Sequence, residues 1–337
     1  MSMARPLRAG LVVGFAALVP SLFVLAAGQN PWHVLTTLLL FVLGPRGWSE
    51  VLVHAIPLTF IGLGVAFALR ARLFNIGSDG QLIAGAVLSV FLAPYLAGWG
   101  VAGLLVFLIL GAAGGAAVGA FVGYLRAWFG ASEIIVTIMM NYIMMQLMSY
   151  LIRGPMQEAT RFWPRSYAVP ADCLLPALVQ GTRLHAGIFI ALLMLAAVAI
   201  VQKQTVLGFQ AAVLGANPGA VTYAGFRVRT LTLIVMAISG GLAGLAGAVE
   251  VAGIYGRLED TMGEGLGLEG IAVALIARLE VAAIPFAACL FGIFFAGAGA
   301  LQRELALPFP LVWIIEATAV FAVTALQWAM PGRKAVA

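Results

Sequence analysis

Leu73-Phe74-Asn75-Ile76-Gly77-Ser78-Asp79-Gly80-Gln81 gathers an acid, two amides and two glycines directly after the cations Arg70 and Arg72. It runs straight into 44 residues without a charge, Leu82 to Leu125. A charge at mid-bilayer costs roughly 2.5–3.5 kcal/mol even on a lenient insertion scale. Such a cluster at the mouth of an apolar segment points to a solute pathway or to a buried break between helices. Asn75 and Gln81 could lend hydrogen bonds to a polar solute, while Asp79 could hold a helix opening in place. A second polar pair, Asn141-Tyr142, lies among Met139, Met140, Met144 and Met145. An intramembrane Asn is often helix–helix glue. The pair would equally suit an aromatic, hydrogen-bonding solute, and both readings stand.

Four more acids lie inside or beside apolar runs: Glu133, Glu250, Glu269 and Glu316. Glu133 follows Ser132 at an expected helix start, where the helix dipole favours an anion. Glu250 is deeper and could serve the pathway. The histidines His33, His54 and His185 are far apart, and no Cys/His spacing suggests a metal. Nor does a glycine-rich loop end in Lys-Ser/Thr, and the two lysines, Lys203 and Lys334, follow no such loop. Any nucleotide hydrolysis that drives this protein therefore belongs to another chain, and the chain itself is not read as an enzyme.

The elements that position these residues must suit lipid. Apolar residues make up 63% of the 337 and charged ones 9%, against about 45–50% and 25% in soluble domains. Mean hydropathy is +1.07. The expectation is an all-α integral membrane protein, residues 1–337 forming a single transmembrane domain in the lipid bilayer. Its net charge of +5 is scattered between apolar segments, so nucleic acid is not an expected partner. A spanning helix needs about 20 apolar residues. Ten candidates are read at about 10–28, 51–70, 76–97, 101–124, 132–152, 184–202, 230–252, 268–280, 283–302 and 310–330. The first is expected to be retained as a helix, not cleaved as a signal peptide. The eighth is too short to span alone and could be a half helix. Residues 35–43 are apolar but short, and are expected along the outer interface.

With the N-terminus in the cytoplasm, eleven cations fall inside: Arg5, Arg8, Arg70, Arg72, Arg126, Lys203, Arg227, Arg229, Arg278, Arg333 and Lys334. Short outer loops keep three, Arg46, Arg257 and Arg303, and the long loop 153–183 holds the other four. This obeys the positive-inside rule and puts both termini in the cytoplasm. Gly77-Ser78-Asp79-Gly80 is echoed by Gly267-Leu268-Glu269-Gly270. Five segments separate them, so an inverted five-plus-five repeat would account for the echo; chance in a glycine-rich chain would too. Glycines recur at 111–123 and 240–248, where small residues let helices approach closely. In the inner loop 203–229, Asn217-Pro218 signals a short helix over 218–224, either a plain connection or a docking element.

These stretches together resemble the permease subunits of ATP-binding-cassette (ABC) importers, in the branched-chain amino acid and simple sugar class, nearest the nucleoside-type branch. The resemblance rests on Leu73 to Gln81, Ser132 to Tyr142, Gly215 to Pro218 with Tyr223 to Gly225, Ser239 to Glu250, Gly267 to Ala274, and Leu301 to Arg303, spanning about residues 50–320. It implies a second permease subunit, identical or homologous, two cytoplasmic ATPases that hold the ATP and Mg, and an extracytoplasmic solute-binding protein. It implies a multi-pass protein of a bacterial inner membrane. The ATPases would dock on Gly215, Ala216, Asn217, Pro218, Ala220 and Tyr223. A nucleoside-like solute is implied too, since the sugar branch usually lacks an acid at Asp79; a sugar or a branched-chain amino acid is the alternative. The chain departs from the family in having Ala212 where an Arg is common, Ala277 to Ala283 where Gly-Arg-x-x-Pro-x-Gly is common, and Glu316 where Gln is common. A reading of another class, an ion-coupled secondary transporter using Glu250, differs in needing no ATPase.

Overall fold

The computed structural model describes residues 18–305, together with residues 14, 314, 317, 318, 321 and 325. Glu316 and most of the tenth expected segment lie outside the described residues, as do the first residues of the first segment. The described chain is helical and falls into two compact units, with divisions at Val51/Leu52 and Ala288/Cys289.

One unit contains a helical stretch at 18–26, α1 (Pro31–Leu43), the start of α2 (Pro45–Arg70) and most of α11 (Ile284–Leu305). Asn30 caps α1 by accepting from the Trp32 amide at 2.9 Å, and Pro31 supplies the first helical residue. Val24, Val34 and Leu301 pack together, as do Val42, Val51 and Ala296. The apolar run expected at 35–43 is thus a helix of 13 residues that begins earlier, at its proline.

The larger unit, Leu52–Ala288, holds the rest of α2 and α3 (Ser78–Leu92), α4 (Val101–Phe129), α5 (Glu133–Ile152), α6 (Gly187–Gln204), α7 (Val206–Ala216), α8 (Pro218–Tyr223), α9 (Val228–Glu250) and α10 (Leu266–Ile276). Its centre is the meeting of α3, α4 and α9. A Cβ at Gly115 would lie 2.1 Å from the Gly240 carbonyl oxygen, and one at Gly244 would lie 2.3 Å from that of Gly111. At Gly85 an added Cβ would meet both the Gly244 and Gly111 carbonyls, at 2.4 and 2.5 Å. In lipid, apolar burial gives no net drive between helices, so close van der Waals approach must hold them together. The two glycine-rich stretches of the sequence are the two sides of one contact.

Among the described residues seven helical segments are long and apolar enough to cross a membrane: Pro45–Arg70, Ser78–Leu96, Val101–Phe129, Glu133–Ile152, Gly187–Gln204, Val228–Tyr255 and Val281–Leu305. The protein is therefore a multi-pass membrane protein. α10, at 11 residues, is too short to join them. α9 continues into a π turn at Val251–Tyr255 and stops at Gly256, whose φ is +64°. The stretch 203–229 is itself mostly helix, α7 and α8, where a connection with one short helix was expected.

Candidate functional site

The polar cluster of the sequence forms the break between α2 and α3. α2 closes at Arg72, whose φ is +55°, and the Leu73 amide donates back to the Ala68 carbonyl. Residues 73–77 then run without regular secondary structure. Such backbone is tolerated at membrane depth only where protein covers it. Asn75, 1% exposed, supplies that cover. Its Nδ2 donates to Gln81 Oε1 at 2.7 Å and to Ser239 Oγ of α9 at 2.8 Å. Its Oδ1 accepts from Gln81 Nε2 at 3.0 Å and from the Gly77 amide at 3.1 Å. Gln81 is fully buried, so both amides of the cluster are engaged with each other inside the chain.

α5 holds the break from the other side. Asn141 Oδ1 accepts from the Gly80 amide at 2.8 Å, and its Nδ2 donates to the Ile76 carbonyl at 3.0 Å. A Cβ at Gly80 would stand 2.9 Å from the Met140 oxygen, and one at Gly77 would stand 3.0 Å from the Thr137 Cβ. The glycines are there because α5 leaves no room for side chains. Tyr142, the neighbour of Asn141, turns the other way and is 62% exposed.

Asp79 sits in the first turn of α3 and reaches the first turn of α10, where its Oδ1 accepts from the Gly267 amide at 2.6 Å. Early amides of a helix lack intrahelical partners and favour an anion. Glu269 lies in that same first turn of α10. The two Gly-x-acid-Gly stretches, far apart in sequence, therefore meet at the N-termini of two helices.

The remaining acids divide. Glu133 is buried in the first turn of α5 and pairs with Arg126 of α4 at 3.2 Å, a local corner contact. Glu250 is buried near the end of α9, and among the described residues its Oε1 has no hydrogen-bond partner. His185, also buried, accepts from the Gly187 amide through Nδ1 at 3.2 Å, and its ring packs against Gly253.

At the end of the unit where α2 and α6 terminate, Arg70 donates to Gln202 at 2.8 Å and α7 packs on the end of α2. Asn217 caps α8, accepting from the Gly219 and Ala220 amides at 2.9 and 3.4 Å, with Pro218 as its first residue. Ala216, Asn217, Pro218, Ala220 and Tyr223 are exposed, Tyr223 to 97%. Gly215 is different: it is buried, and a Cβ there would lie 2.2 Å from the Arg70 carbonyl oxygen. At the opposite end, loop 153–183 is sewn to residues 252–260. The Ser166 and Val169 amides donate to the Leu258 and Gly256 carbonyls, and Arg153 pairs with Asp260. Glu158 accepts from Thr160 and pairs with Arg165 and Arg257. The Thr160 and Arg165 hydrogen bonds hold the Glu158 carboxyl below its ordinary range, and Arg153 does the same for Asp260.

Two participants were missed by sequence reasoning. Ser239 is a lone serine in an apolar helix, and its only signal was its place at the start of a family-like stretch. The Gly267 amide is backbone and carries no side-chain signal at all.

The family described as "Branched-chain amino acid transport system / permease component" matches residues 47–322, which contain every element of this site. The chain belongs to this permease family. It is the permease component of an ABC transporter, as three relatives are by name. The guanosine ABC transporter permease protein NupP of Bacillus subtilis is 34% identical over 91% of this chain and 88% of its own length. The nucleoside ABC transporter permease protein NupB of Lactococcus lactis is 30% identical over 97% of this chain and 93% of its own. The glucose ABC transporter permease protein TsgB13 of Haloferax volcanii is 34% identical over 80% and 74%.

Proposed function

We propose that this permease forms, with a second identical or homologous permease, the path for a nucleoside-like solute in an ATP-driven importer of a bacterial inner membrane. Relatives named for guanosine and nucleoside transport that align along nearly the whole chain carry this reading. The glucose permease keeps a sugar as the second reading. Two ATPases, holding the ATP and Mg, dock at 203–229 on the exposed α8 cap, Ala216, Asn217, Pro218, Ala220 and Tyr223. Gly215 serves the same surface indirectly by seating α7 on α2. A binding protein delivers solute at the end carrying loop 153–183, and both termini are cytoplasmic.

Ten membrane segments, a single permease domain over 1–337 and an inverted repeat complete the proposal. The repeat is supported by the contact between Asp79 and Gly267, which joins its two echoing stretches. Tyr142 lines the path. Asn75, Gln81 and Asn141 shape its wall by holding the α2–α3 break, and Asp79 and Glu269 hold the two helix openings. Competition for uptake tests the solute: unlabelled nucleosides should displace a labelled nucleoside, while ribose and leucine should not. Displacement by ribose alone would assign the sugar reading instead.

A further inference from the structure

α5 is the least buried of the seven long apolar segments, and its open face is not uniformly apolar. Tyr142, Gln146 and Tyr150 follow one another at steps of four, which stacks them along one side of a helix. All three are exposed, Tyr142 to 62% and Tyr150 to 68%, and Gln146 makes no hydrogen bond to the described chain. The stripe continues through Ser149 to Arg153, which binds Ser149 and pairs with Asp260 at the end of the helix. Toward the other end the same side carries Ile138, Ile135 and Met139.

Lipid is a poor neighbour for this stripe. A carboxamide carries two N–H donors and an acceptor, and hydrocarbon satisfies none of them, at a cost of several kcal/mol per unmet group. Gln146 lies six residues before Ile152, the last residue of α5, about 9 Å along the axis, farther than its side chain reaches to find water. Tyrosine favours the interface, yet Tyr142 stands at the middle of α5. A helix partner is also a poor fit. Helices meet in lipid through small residues, as α4 and α9 do here, whereas this stripe is built from Ile, Met, Tyr and Gln.

We infer that the Tyr142–Gln146–Tyr150 stripe lines the aqueous path, with Gln146 binding the hydrogen-bonding edge of a planar heterocyclic solute while the tyrosines contact its face. This rests on the nucleoside reading above and deepens it. A Gln side chain offers a donor and an acceptor side by side, the pattern that engages a nucleobase edge in two bonds. Aromatic rings contribute contact with any base face.

The test uses the assembled transporter with Cys173 and Cys289 replaced by Ser. Gln146→Cys should react with a charged, impermeant methanethiosulfonate added from the binding-protein side, and inosine should slow the reaction. Leu193→Cys, an exposed apolar position of α6, should stay unreactive. Gln146→Leu should lower inosine uptake about tenfold or more, the loss of a two-bond contact with the base edge, with an unchanged yield of complex. An unreactive Gln146→Cys in a complex that still takes up nucleosides overturns the path assignment and leaves the nucleoside reading intact. Labelling that inosine leaves unslowed overturns the contact with solute. A complex that takes up no nucleoside overturns the nucleoside reading, and labelling of Gln146→Cys then still decides whether the stripe faces water.

Discussion

Asn141 and Asp79 each bridge a helix start to another element, but through different chemistry. Asn141 uses both ends of its amide, on Gly80 and Ile76. Alanine there would leave a half-buried amide and carbonyl without partners, at about 1–3 kcal/mol for each group that water cannot reach. Asp79 uses one oxygen, on the Gly267 amide, and asparagine retains an oxygen that can accept. Asn141→Ala should therefore lower the thermal unfolding temperature of the purified complex more than Asp79→Asn does, whereas Asp79→Leu should be the more damaging change at its site. Equal unfolding temperatures for Asn141→Ala and the parent would mean these bonds do not hold the break. The sequence made this cluster visible, because an acid and two amides beside an apolar run stand out. The partners did not show, since Ser239 and the Gly267 amide lie far along the chain and neither is distinctive by type.

At the scale of elements, the glycine stripes were legible as packing surfaces, because small residues at helical spacing have that use in lipid. Their pairing with one another came from the fold. Gly115→Leu would drive a side chain into the Gly240 carbonyl, where even a Cβ stands at 2.1 Å. Overpacking of this kind costs about 1–3 kcal/mol or more; membrane expression of the variant should fall sharply, while that of Gly241→Ala on the facing helix α9, where a Cβ would meet the Ala112 carbonyl oxygen only at 3.4 Å, should fall only slightly. α7 was not legible: its cap is Thr205, accepting from the Gly208 amide at 3.3 Å, and its apolar, charge-free sequence resembles a connecting loop. The start of α2 was placed six residues late because Arg46 and Glu50 hide the helical turn that Pro45 begins.

Loop 153–183 yields a pH prediction. Glu158 and Asp260 are held below ordinary values of 4.5 and 3.8 by hydrogen bonds and cations. A carboxylate with a lower pKa in the folded state gives its full stabilisation above the unfolded pKa and loses it as pH falls through the folded one. The loop should stay protected from hydrogen exchange from neutral pH down to the ordinary carboxylate range and open progressively below it. Glu158→Gln should weaken protection at neutral pH and flatten that acid response. An acid response unchanged in Glu158→Gln would assign it to other groups.

At the scale of the whole molecule, the larger unit sorts its connections to two ends. Arg70, Gln202 and α7 meet at one end, and loop 153–183 meets residues 252–260 at the other. The ten-segment count adds to the seven described spans the short α10, at 11 residues, and two apolar segments at the ends, the first lying partly and the last mostly outside the described residues. The central claim is that partner ATPases drive solute through this chain by way of the α8 surface. The most direct measurement is nucleoside-stimulated ATP hydrolysis by the reconstituted complex, with the binding protein present, for the parent and for Ala220→Trp. The account predicts stimulation in the parent and its loss in Ala220→Trp, with both permeases inserted equally. Uptake that survives ATP depletion and collapses with an uncoupler, or full stimulation in Ala220→Trp, would contradict it.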